Sequence, residues 1–169
     1  MIGNRARSGS LLVHLLAILL IVINLSSVEI AGFTRVLPLF DLMIIFYFAI
    51  FKRVFAIWFI FLLGVWGDAL SGLPLGLSSI CYIFAVKTFS ALNHKLIIRE
   101  NFVQIWQQFL AFSLMFLLLK WSLVSIFAGS LYSIINPTIQ FILTGILYVL
   151  IHRVFDYLSE KIARNAEGY

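Results

Sequence analysis

The strongest constraint on this chain is the spacing of its interruptions. Long apolar runs, parted by basic or turn-forming residues, fill most of its 169 positions. A helix needs about 20 apolar residues, within a range of about 17–25, to cross a bilayer. Six such runs are read: Leu11–Val28, Val36–Phe51, Val54–Leu70, Leu73–Phe89, Ile105–Phe127 and Pro137–Phe155. Composition agrees, with 63% apolar and 11% charged residues against about 25% charged in a soluble domain. Too little polar surface remains to cover a water-soluble globule. The fold class expected is an all-α polytopic membrane protein, one integral domain over residues 1–169 built as a bundle of about six transmembrane helices.

Three runs need separate comment. The second and third are short and divided only by Lys52-Arg53. Snorkelling of those side chains and local thinning absorb the mismatch, and a single bent hairpin dipping partway in is the rival reading. Arg5 and Arg7 precede the first run as in a secretory signal, but no A-x-A site follows, so that span is read as retained.

Charge fixes the orientation. With the N-terminus inside, Arg5, Arg7, Lys52, Arg53, Lys87 and Lys95 fall on or near the cytoplasmic face, as do Arg99, Arg153, Lys161 and Arg164. Only Arg35 lies opposite, and Lys120 lies within the fifth span. This is the positive-inside pattern, and with an even span count both termini are cytoplasmic. The net charge of +5 is therefore explained by membrane orientation, not by nucleic acid, which a basic face or stripe would suggest. The loop over residues 90–104 carries Lys95 and Arg99, and Trp106 follows at the edge of the next span. Topology and anionic lipid account for these residues. A docking surface for a cytoplasmic partner is the sharper alternative.

Ionisable residues inside the spans are costly and mark sites. At about 1.5 Å per residue, Asp68 lies about 21 Å above Val54, and Lys120 about 22 Å above Ile105. Asp41 enters from the outer side to a similar depth. The three form a candidate charge layer in which Lys120 pairs with Asp68 or Asp41; snorkelling of all three into headgroup water is the plainer account. No second acid continues a path inward, which argues against an ion relay. Catalytic patterns are lacking: no H-E-x-x-H, G-x-S-x-G, P-loop or dinucleotide glycines. His14, His94 and His152 are read as isolated, without an i, i+4 carboxylate or histidine, so no metal or cofactor is expected. The single Cys81 offers no disulfide. Gly72 permits a positive φ, and Pro74 suits the first turn of the next helix.

Gly64, Asp68, Ser71, Gly72, Pro74, Leu75 and Gly76 together resemble the signature of the bacterial rod shape-determining protein MreD family: an acid after a glycine-containing third helix, then S-G-x-P-L-G opening the fourth. Pro38 ahead of Asp41, Tyr47 in the second span and Trp106-Gln107-Gln108 opening the fifth are further similarities. In the family the proline often precedes its acid directly, whereas Leu39-Phe40 intervene here. The resemblance is specific over residues 38–108. It implies a non-enzymatic, multi-pass subunit of the bacterial cytoplasmic (inner) membrane. Such a subunit associates with MreC and connects MreB to the glycosyltransferase and transpeptidase of lateral peptidoglycan synthesis. The family is also similar in architecture to the substrate-binding subunits of energy-coupling vitamin transporters. A transporter subunit of that type is the alternative function, for which Asp41, Asp68, Lys120, Trp66 and Trp121 would be the cavity candidates.

Overall fold

The computed structural model describes residues 13–19, 38–52, 54–92, 101–131 and 133–167, with side chains through Glu160. Every regular element among them is helical. Helix α1 covers residues 13–19. Helix α2, Phe40–Ile45, continues without a break into a π-helical stretch, Phe46–Phe51. Then follow α3 (Ile57–Ser71), α4 (Leu77–Leu92), α5 (Phe102–Ala128) and α6 (Ile135–Glu167).

The bundle is organised around α2 and its π-helical continuation. Residues Asp41 to Phe48 are all buried; Leu42 to Phe46 are apolar all round the helix and leave no face for solvent. It packs on α4 and α6, while α3, α4, α5 and α6 pack each on the next. Aromatic rings hold the centre. Phe46 meets Phe89 of α4, Phe109 and Phe112 of α5 and Tyr148 of α6, with ring centroids 5.3–5.9 Å apart. Phe109 and Tyr148 stack in parallel at 3.7 Å. Such contacts add to the area term that a large ring already contributes.

The outer helices use one stripe each. In α6 the buried positions Thr144, Tyr148, His152 and Phe155 recur every three or four residues, and Ile142, Ile146, Leu150 and Val154 face outward. The outward surface is itself apolar: Trp58 is 64% exposed and Ile126 73%. Helices α5 and α6 are long and apolar enough to cross a membrane, while Phe40–Phe51, Ile57–Ser71 and Leu77–Leu92 are shorter apolar helices.

The sequence boundaries shift in instructive ways. The third run was expected from Val54 and the fourth from Leu73, but their helices begin at Ile57 and Leu77. Val54 and Phe55 instead donate their N–H groups to the Phe48 carbonyl, which closes the turn after the π-helical stretch. Hydropathy counts such turn residues as apolar; it cannot see that their backbone is occupied elsewhere. The sixth helix runs past Phe155 to Glu167. Most of the first run, 11–28, lies outside the described residues.

Candidate functional site

The α3–α4 hairpin is explained by its sequence. Helix α3 ends because Gly72 takes the left-handed conformation, φ +69°, and its N–H and that of Leu73 return to the Asp68 carbonyl. This is the usual use of a glycine just past a helix. Ser71 closes its own hydroxyl onto the Gly67 carbonyl at 2.7 Å. Pro74 stands three residues ahead of α4, not in its first turn as expected, and accepts the Leu77 N–H at 3.2 Å.

Helix α4 then begins after Gly76, φ +91°, a residue with no side chain to cap the first free N–H groups. The cap comes from the neighbouring helix: Asp68 Oδ2 accepts the Ser78 N–H at 2.9 Å. A carboxylate at a helix N-terminus also meets the positive end of the helix dipole. Asp68 is fully buried there, and its Oδ1 has no partner among the described residues. One turn back from Asp68, Gly64 permits the helices to touch. A Cβ at Gly64 would lie 2.6 Å from both the backbone N and Cα of Ser79, whose hydroxyl donates to the Phe61 carbonyl at 2.8 Å.

Asp41, Asp68 and Lys120 occupy one neighbourhood, though no ion pair joins them. Asp41 accepts the Tyr82 hydroxyl and the Leu42 N–H at 2.9 Å. Tyr82 stacks on Phe116, with centroids 4.7 Å apart, and Lys120 Nζ lies over the other partner of that stack, 5.8 Å from the Phe116 centroid. Cys81 is within electrostatic reach of both Lys120 and Asp68. The direct pairing expected of Lys120 is thus replaced by a ring stack between cation and acid. Hydropathy and depth could bring the charges to one layer but could not reveal the aromatic pair between them.

A second polar cluster lies at the opposite end, and sequence reasoning passed over it. Tyr47, in the π-helical stretch, donates its hydroxyl to Asp156 Oδ1 at 2.6 Å and lies 3.2 Å from Ser159 Oγ. His152 stands 3.3 Å from Asp156 Oδ2 through Nε2 and 3.2 Å from the Tyr148 hydroxyl through Nδ1. The signal was present: His152 and Asp156 are spaced i, i+4, so the reading of His152 as isolated was wrong. Both imidazole nitrogens face partners on α6 itself, and the Tyr47–Asp156 bond ties that helix to the π-helical stretch. Lys52 folds over the Tyr47 and Phe51 rings nearby, at 5.8 and 5.5 Å.

Trp106 also differs from expectation. Expected at the edge of a docking loop, it is tied to the bundle: its Nε1–H donates to the Gly145 carbonyl of α6 at 2.9 Å. Lys95 and Arg99 lie outside the described residues. Among the described residues no group of three or more His, Cys, Asp or Glu could hold a metal. Compared with protein-family models, curated proteins and solved structures, the chain matches none of them.

Proposed function

We propose that this chain is a multi-pass protein of the bacterial cytoplasmic membrane and a non-catalytic subunit of the cell-elongation machinery. It would join MreC and, through it, MreB and the lateral peptidoglycan synthases. The observation that carries the reading is the α3–α4 hairpin. The residues that resemble the MreD signature are the ones that build it: Gly64 at the helix contact, Asp68 on the α4 N-terminus, and Gly72 and Gly76 at positive φ. A motif of this kind makes a rigid, shaped end on a bundle, which suits a scaffold.

The membrane part of the proposal is supported by two long apolar helices and by the large apolar side chains that cover the outside. Contiguous apolar surface on this scale calls for lipid or protein around it. Helix α3, at about 22 Å for its length, is shorter than a hydrocarbon core of about 30 Å. The apolar turn residues beyond its end and local bilayer thinning make up the difference. The basic residues at the inner edges support cytoplasmic termini.

Depletion in the native bacterium tests the function. Loss of rod shape, restored by this chain and not by a hairpin variant of equal abundance, is the expected result. Normal shape together with a new requirement for a vitamin would favour the transporter alternative and sink this one.

A further inference from the structure

Between the C-terminal half of α5 and the first turns of α6 lies an open cleft of about 230 Å³. Its polar lining is Lys120, Ser133, Asn136 and Gln140, and Leu117 and Val124 supply apolar wall. Among the described residues that line the cleft, Lys120 is the only charged one and none is a carboxylate. Among the described residues Lys120 closes no ion pair; its described contact is the face of Phe116. A half-buried ammonium beside neutral donors and an apolar wall is complementary to an anion attached to hydrocarbon.

Depth favours the same occupant. Helix α5, at about 1.5 Å per residue, is about 40 Å long, close to a bilayer of about 40–45 Å with its headgroups. Lys120 lies about 27 Å from the start of α5, in the outer part of that helix, and its stem is long enough to carry the ammonium to headgroup level when it swings away from the Phe116 face. We propose that this cleft binds an anionic glycerophospholipid, the phosphodiester against Lys120 and the amides of Asn136 and Gln140, an acyl chain along Leu117. The proposal rests on the membrane-spanning reading above.

The test uses the full chain in non-ionic detergent, offered phosphatidylglycerol and phosphatidylcholine in equal amounts, with retained lipid counted by native mass spectrometry. Wild type is expected to keep phosphatidylglycerol preferentially. One lost cationic contact should lower that retention about fivefold to tenfold in Lys120→Met, and Lys120→Arg should preserve it. Asn136→Leu, on an exposed position, provides a second variant should Lys120→Met unfold, and it too should weaken retention. Equal retention of the two lipids, an unchanged Lys120→Met, or full displacement by millimolar inorganic phosphate would each overturn the proposal, the last by pointing to a soluble anion. Carbonate extraction separates the two readings. Release of the chain from membranes would sink both, whereas a chain that stays membrane-bound with unselective lipid binding sinks only this one.

Discussion

Gly64 and Gly67 sit one turn apart on α3 and should respond to the same substitution in opposite ways. At Gly64 an added Cβ meets Ser79 backbone at 2.6 Å, which no rotamer can relieve, so Gly64→Ala must push α3 from α4. Overpacking of this kind costs about 1–3 kcal/mol. At Gly67 nothing lies within 4 Å, and alanine should be neutral or stabilise by about 0.5–1 kcal/mol through helix propensity. Thermal unfolding of both variants in detergent reads the difference; equal behaviour would mean that the helices do not touch there. Asp68 divides in a similar way. Asp68→Ala removes the α4 cap and should cost about 0.5–2 kcal/mol. Asp68→Asn retains an acceptor for the Ser78 N–H and should keep most of that. If asparagine is as damaging as alanine, the negative charge itself matters and capping is not the main role.

At the scale of elements, the central helix is held at both ends by polar contacts to α6. Leu39 N–H donates to Thr144 Oγ1 at 3.0 Å at one end, and Tyr47 donates to Asp156 at the other. Tyr47→Phe should cost about 1.5–3 kcal/mol, the range for a hydrogen bond to a charged group. A double-mutant cycle with Asp156→Asn should return a coupling of at least about 0.5 kcal/mol. Additive single costs would show that Tyr47 and Asp156 do not act together. The sequence carried half of this. The i, i+4 spacing of His152 and Asp156 is legible in the chain, and Tyr47 was singled out within its span. What no spacing shows is the π-helical stretch, in which the Lys52 N–H reaches back five residues to Tyr47. It is nonlocal packing on α4 and α6, not a local preference, that brings Tyr47 to Asp156. Trp106 makes the same point. Its position at a helix start suggested an interfacial anchor, and only the approach of α6 supplies the Gly145 carbonyl.

For the whole molecule, the arrangement is a buried helix surrounded by others whose outward faces are apolar. The membrane topology proposed for it has a direct check. Reporter fusions at both ends should behave as cytoplasmic, and one at the α5–α6 turn near Gly129 should behave as external. An external C-terminus would require an odd number of crossings. From the sequence alone came the helical class and the approximate runs, because hydropathy is a sum over local residues. The turn at Gly72 was also legible, since a glycine that ends a helix at positive φ is a local requirement. Tertiary structure alone decided that Asp68 caps the next helix instead of meeting Lys120. It also decided that Tyr82 and Phe116 stand between Asp41 and that lysine. Depth along a helix is fixed by residue count, but which side chains meet at a given depth depends on rotation and packing, which only the assembled bundle sets.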